Sequence, residues 1–263
     1  MRPWDTDRWI TPSDVERSRT SYDLDGLRAA VDTFAADRVD RFLDIGCGFG
    51  GLARLVGDYV GATEVHGVDI DPRVKDEARE KNVEVVLQDA SGGPLPYEDG
   101  YFDAVMSLGM MDYLQYFDGV IREISRVTRI GGIVMVSLPN LASWHNRLML
   151  LMGYQPRDIE ISSEILAGVP NRPYRVRGEG PAGHIHIPTL RAFVELMEHH
   201  GYETVKVLPG RPNARTTSNP MFLAVDRLTS KRASLARRFF YVGRRAREIA
   251  PAVRSPHMPY ELL

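Results

Sequence analysis

The sequence predicts a doubly wound α/β fold, an open and mainly parallel sheet with helices on both faces, and three observations predict it. Phe42 to Ile45 is a short apolar run suited to a buried strand. It breaks into Gly46, Gly48, Gly50 and Gly51, after which Leu52, Leu55, Val56 and Tyr59 fall on one face of a helix. Strand, glycine turn and helix open a nucleotide-binding sheet, whose ligand sits outside the strand's carboxyl end. A second strand, Glu64 to Asp71, ends in acids. Its Asp69 lies roughly 20 residues past the loop, where such a sheet places the carboxylate that bonds ribose hydroxyls. Finally, short apolar runs and amphipathic stretches keep alternating as far as residue 140.

The remaining elements follow in order. Residues 1 to 20 are polar, with Trp4, Trp9 and Ile10 as anchors, and either lack order or fold over the ligand mouth. Asp25 to Phe34 reads as a helix beside the first strand. Asp71-Pro72 reads as a helix cap with proline in the first turn, and that helix runs to about Lys81. Glu84 to Leu87 is a third strand, and Leu95 to Ser107 is a loop entering a fourth. Phe117 to Thr128 is a helix with Gly131 as its C-cap, and Ile133 to Leu138 is a fifth strand closed by Pro139-Asn140. Leu141 to Ile187 breaks the rhythm, and an insertion of that length is commonly functional. Thr189 to His200 is an amphipathic helix with Gly201 as C-cap, and Glu203 to Leu208 is a sixth strand.

Bulk properties narrow the function. The 263 residues suit one α/β domain, residues 1–263, and 43% hydrophobic content is ordinary for a packed core. A net charge of −2 argues against a dedicated nucleic-acid binder. The single cysteine, Cys47, allows no internal disulfide, and Met1 to Asp5 lacks the apolar core of a signal peptide. The apolar run Leu148 to Met152 is far short of the roughly 20 residues that span a bilayer. A cytoplasmic location is expected.

Gly46, Gly48 and Gly51 meet the dinucleotide spacing G-x-G-x-x-G, which would suit a nicotinamide dehydrogenase. Asp44 points elsewhere. A carboxylate beside the loop suits a ligand with a positive end, such as S-adenosylmethionine, which carries an ammonium and a sulfonium and no phosphate. The other reading of Asp44 is a strand-end acid that only satisfies backbone N–H groups.

Asp44-Ile45-Gly46-Cys47-Gly48-Phe49-Gly50 resembles motif I of the class I S-adenosylmethionine-dependent methyltransferases. The block Leu95 to Ser107 resembles that family around its fourth strand, and Arg122 to Asn140 resembles it again. Pro139 to Trp144, Arg147 to Gly153 and His184 to Arg191 are similar to a narrower group. That group includes quinone O-methyltransferases and the methyltransferase-like proteins that accompany homoserine acyltransferases in methionine synthesis. The resemblance implies a Rossmann-like sheet of seven strands, six parallel and the last antiparallel. The last is placed at Arg238 to Gly243, so residues 209–236 become an insertion between the last two strands. It implies S-adenosylmethionine as cofactor, held by Asp44, Gly46, Cys47, Gly48, Asp69, Ile70, Asp89, Ala90, Ser107, Leu108 and Gly109, with Asp89 facing the adenine. Asp89 also reads as an ordinary turn aspartate. Residues 141–187 would be the substrate cap, with Met111, Asp112, Tyr113, Asn140 and Trp144 as substrate contacts, although Met110 and Met111 also read as packing. Many relatives carry a histidine near Asp112, and this chain has none there.

The reaction so implied moves a methyl group to a hydroxyl or amine of a small-molecule acceptor. It works mainly by holding nucleophile, methyl and sulfur in line, and it needs no metal. A hydroxyl acceptor benefits from a general base. His184 and His186, alternating along an extended segment, are candidates, with His145 third; all three also read as lid or surface histidines. A partner-binding protein with the same fold and little turnover, companion to a biosynthetic acyltransferase, is the alternative. Arg227, Lys231, Arg232, Arg237, Arg238, Arg244, Arg245, Arg247 and Arg254 make the C-terminal region locally basic. They read first as protection of the sheet's end and a solvated tail, with peripheral contact to an anionic membrane or to phosphate as the other option.

Overall fold

Arg41–Ile45 (β1), Glu64–Asp69 (β2), Glu84–Leu87 (β3), Phe102–Leu108 (β4), Thr128–Pro139 (β5), Tyr202–Pro209 (β6) and Arg238–Arg245 (β7) build one sheet in the order β3-β2-β1-β4-β5-β7-β6. The computed structural model describes residues 3–17, 23–170, 182–210 and 220–249, with Arg17 and Phe222 described by their backbone alone. β1 to β5 pair in parallel, whereas β7 runs antiparallel to both β5 and β6. The expected pattern of six parallel strands and an antiparallel last strand is therefore present, with β7 slotted between β5 and β6.

The helices are Thr6–Trp9 (α1), Pro12–Arg17 (α2), Leu24–Val31 (α3), Gly51–Val60 (α4), Lys75–Glu80 (α5), Asp118–Val127 (α6), Trp144–Leu151 (α7), Leu190–His199 (α8) and Pro220–Thr229 (α9). Strand alternation sends Phe42, Met106 and Met135 to one face, where Leu27 and Val31 of α3 and Leu55 and Val56 of α4 cover them. Leu43, Ile45, Val105 and Val136 face the opposite side, against Ile121 and Ile124 of α6 and Phe193 and Met197 of α8. Both faces of the central strands are thus dry, as parallel sheets require.

Asp71 caps the turn before α5 by accepting the Arg73 N–H at 3.0 Å, with Pro72 in first position. Thr189 caps α8, its hydroxyl accepting the Ala192 N–H at 3.2 Å, and Gly201 follows at φ +84°. The expectation of Gly131 as a C-cap is corrected. α6 passes straight into β5 at Thr128, whose hydroxyl donates to the Ile124 carbonyl at 2.6 Å, and Gly131 bends the start of the strand.

Two further expectations change. Much of the block Leu95 to Ser107 serves packing. Tyr97, Tyr101 and Phe102 surround His66 of β2 with ring centroids 5.6, 5.9 and 5.3 Å away. The basic stretch does not protect the sheet's end, because the edges are β3 and β6. Arg237 pairs with Asp226, Arg244 with Asp37 and Arg245 with Glu248, while Arg238 donates to the Ser137 carbonyl. These arginines tie β7 to its neighbours. Arg254 lies outside the described residues.

Candidate functional site

The glycine turn after β1 folds back on the end of β2. The Gly46 and Cys47 N–H groups both donate to the Val68 carbonyl, at 2.8 and 3.1 Å. The Gly48 N–H donates to Asp69 Oδ2 and the Asp71 N–H to Asp69 Oδ1, each at 2.9 Å. Asp69 thereby sets the loop, one oxygen on the turn and the other on the chain just past its own strand. Gly46, Gly48 and Gly50 all have positive φ, the region glycine enters at least cost.

Asp44 is the unusual group. Its side chain is buried, and Oδ1 has no hydrogen-bond partner. Burial, with the Asp69 charge adding to it, pushes its carboxyl up to about 8. A buried carboxylate left this way is destabilising unless a cation or donor meets it. The residues present therefore fit a ligand that brings a positive group to the end of β1.

The outer side of the turn is closed by the N-terminal segment. Thr11 and Asp14 form a reciprocal cap at the start of α2, with Asp14 Oδ2 accepting the Thr11 N–H at 2.9 Å. Asp14 Oδ1 then accepts the Gly51 N–H, the first of α4, at 3.1 Å. Lys81, also buried, sends its ammonium to Asp14 Oδ2 (2.9 Å), Glu77 Oε1 (2.9 Å) and the Phe49 carbonyl (2.8 Å). The fit is close, since a Cβ on Gly51 would stand 2.4 Å from Asp14 Oδ2. A helix N-terminus after a glycine turn is where dinucleotide folds seat a pyrophosphate. Here a protein carboxylate fills it, which argues against the dinucleotide reading. Of the N-terminal segment, the described residues 3–17 pack on α4, with Trp4 against Tyr59 at 5.1 Å.

On the far side, the chain after β4 makes a single 3-10 turn, Met111–Tyr113. The Asp112 carbonyl accepts the Ile185 and His186 N–H groups at 2.8 and 3.2 Å. Asp112 itself is buried, and its Oδ2 lies 3.4 Å from His184 Nε2. The His184 Nδ1 is buried without a partner, and the Tyr113 ring stands 5.2 Å from the imidazole. Glu160 accepts the Gly183 and His184 N–H groups and so fixes this stretch. A second pair lies alongside, His145 Nε2 and Asp158 Oδ2 at 3.7 Å. Burial raises the Asp158 carboxyl, but the bond and charge of His145, with help from His184 and Arg157, outweigh it and hold it at about 2.

Comparison with known proteins places this geometry. A methyltransferase-domain family model matches residues 43–136, the stretch from β1 to β5 that carries Asp44, the glycine turn, Asp69 and Asp112. Residues 43–136 thus carry the sequence of a methyltransferase domain. The chain is 34% identical over 119 residues to a demethylmenaquinone methyltransferase of Thermus thermophilus, covering 43% of this chain and 54% of that protein. It is 31% identical over 139 residues to methyltransferase GfsG of Streptomyces halstedii, covering 49% and 48%. The chain thus spans about half the length of these curated relatives. A Haloferax volcanii structure, a methyltransferase in complex with the Trm112 activator, shares the fold at TM-score 0.62 and 16% identity over 92% of this chain and 98% of that one. An S-adenosylmethionine-dependent methyltransferase from Mesorhizobium loti does so at 0.55 and 15%, over 83% and 96%.

Within the methyltransferase domain, Asp44, Gly46, Gly48, Asp69 and Ile70 gather at the ends of β1 and β2, and Ile70 is exposed there. The Cys47 sulfur turns inward against Gly67, where a Cβ would meet it at 2.5 Å, so only its backbone faces the turn. Asp89 takes the turn reading: its Oδ1 accepts the Ser91 N–H at 2.8 Å and the Ser91 hydroxyl at 2.7 Å. Ala90 packs against the α6 side of the core, and the Ser107 hydroxyl is buried without a partner. After it come Leu108 and Gly109, whose N–H donates to the Ser137 carbonyl.

Three expected substrate contacts are corrected. Met111 is fully buried in the core. Asn140 is buried too, its amide donating to the Ala236 carbonyl and its Oδ1 accepting the Ala142 N–H. Trp144 donates its indole N–H to Asp226, a strut between α7 and α9. His184 and His186 part company: the first meets Asp112, whereas the second is exposed beside Tyr116 at 6.0 Å. Sequence reasoning missed Asp14, Lys81, Asp158 and Glu160. Only Asp14 carried a local signal, the capping pattern Thr11-Pro12-Ser13-Asp14.

Proposed function

We propose that this chain is an S-adenosylmethionine-dependent methyltransferase that methylates a hydroxyl of a small-molecule acceptor. The observation that carries the reading is Asp44, a buried carboxylate with an orphaned oxygen, next to a turn whose phosphate seat is filled by Asp14. Asp44 would hold the donor's ammonium, Asp69 the ribose hydroxyls, Ile70 one face of the adenine, and the Asp89-Ala90 stretch its edge. When bound, the donor supplies an electrophilic methyl carbon on a cationic sulfur.

The described parts of residues 141–187, that is 141–170 and 182–187, act as the cap over the acceptor, together with Asp112 and Tyr113. If Asp112 accepts the Nε2–H of His184, the Nδ1 lone pair is left to take the acceptor's hydroxyl proton. Asp112 is then a positioning residue that fixes the tautomer. His145, with Asp158, stands behind this pair, and His186 sits outside it. An amine acceptor that arrives neutral needs no such base, so the pair favours a hydroxyl.

Calorimetry with S-adenosylhomocysteine tests the donor: wild type binds, and Asp44→Asn binds far more weakly. No heat at millimolar ligand overturns the reading. Donor binding without turnover on any hydroxyl acceptor would favour the partner-binding alternative.

A further inference from the structure

We infer that α7 and α9 form a docking surface for an anionic lipid bilayer. α7 buries His145, Asn146 and Met149 on one face, but its end and the following turn leave Leu150, Leu151, Met152 and Tyr154 exposed, Leu151 by 85%. A contiguous apolar tip of this kind is costly in water and marks an interaction site. α9 adds Met221 and Leu228, seven residues apart and so on one helical face, both about two-thirds exposed. The Trp144 indole, bonded to Asp226, joins the two helices.

Charge decides the occupant. Residues 144 to 157 contain no acid, and Arg147 is exposed. From Pro220 to Arg232 the one acid, Asp226, is buried against Arg237, while Arg227, Lys231 and Arg232 are exposed. Every exposed formal charge of the two helices is therefore positive, in a chain whose net charge is −2. Apolar side chains among lysines and arginines match the boundary between acyl chains and anionic headgroups, and Tyr154 suits that depth. A second copy of the chain fits worse, because a two-fold contact would set these same cations against each other. The contact lies on the bilayer, since no helix among the described residues is long and apolar enough to cross it.

Sedimentation of the full chain with phosphatidylcholine vesicles, with and without phosphatidylglycerol, tests the inference. The protein should pellet with the anionic vesicles, less so at high salt, and remain in solution with neutral ones. Leu151→Gln with Met152→Gln should weaken partition by about tenfold or more. Lys231→Gln and Arg232→Gln should each weaken it about fivefold. The thermal midpoint of each variant confirms that it folds, independently of donor binding. Absence of wild-type pelleting, or equal pelleting of the folded Leu151→Gln/Met152→Gln variant, overturns the inference. So does a dimer on a sizing column that the same variant converts to monomer without any vesicle binding.

Discussion

The two sides of the crevice are built differently. On the side proposed for the donor, Asp44, Asp69 and the glycine turn sit at the tips of β1 and β2, short segments anchored in a sheet that is dry on both faces. The Gly46 and Cys47 N–H groups bond to the Val68 carbonyl of β2, the Gly48 N–H to the Asp69 carboxylate, and Lys81 and Asp14 brace the turn from behind. On the side proposed for the acceptor, His184 and Asp158 lie on irregular chain, held by bonds such as those of Glu160. A site on strand tips keeps one geometry for one donor. A site on irregular chain can be reshaped without disturbing the sheet. The matched stretch, residues 43–136, ends before the segment that carries His145, Asp158 and His184.

The sharpest way to separate the sides is to remove a group from each. His184→Ala should lower kcat by about a hundredfold or more, the ordinary worth of a positioned base, while S-adenosylhomocysteine affinity stays unchanged by calorimetry. Asp112→Asn should lower kcat less and alter the pH profile. Asp44→Asn should do the reverse on the donor side, weakening S-adenosylhomocysteine by about a hundredfold, on the order of 3 kcal/mol for one half of a buried ion pair.

Lys81→Met tests the brace. It leaves Asp14, Glu77 and the Phe49 carbonyl without their buried ammonium, so about 3 kcal/mol of unfolding free energy should be lost in denaturant titration. Lys81→Arg should restore part of it, and the donor KM should rise with little change in the acceptor KM. A further effect comes from pH, read one unit at a time. In the donor-free protein Asp44 titrates near 8, against an ordinary 3.8. Between those values the folded chain holds a proton that the unfolded chain has released, so stability falls as pH rises, by up to about 1.4 kcal/mol per unit. The ammonium needs the ionised carboxylate, so donor affinity should improve from pH 6 towards pH 8 by up to about tenfold per unit. Asp44→Asn should abolish both trends.

Local features were legible in the sequence and distant pairings were not. The strand and glycine turn, Asp69 and the Asp71-Pro72 cap follow from spacing within a few turns of chain. β7 was placed by its aromatic and β-branched run. Asp14 meets Lys81 across 67 residues, and nothing in either neighbourhood says that they meet. Likewise Asp112 gains its histidine from position 184, so its role cannot be read from the residues around it. Met111 and Asn140 sit in functional-looking stretches, yet burial assigns them to packing and to hydrogen bonding within the fold. Cys47 faces inward because β2 has a glycine opposite it, a match set by the register of two strands.

The strand order has a consequence for synthesis. Among the described residues β6 pairs only with β7, and β7 is the last of these strands to leave the ribosome. Until Arg238–Arg245 emerges, the nascent chain carries an open β5 margin and an orphan β6, both ready to pair with a neighbouring polypeptide. Premature termination anywhere before that strand should therefore yield an aggregating product, even though every donor-side residue has already been translated.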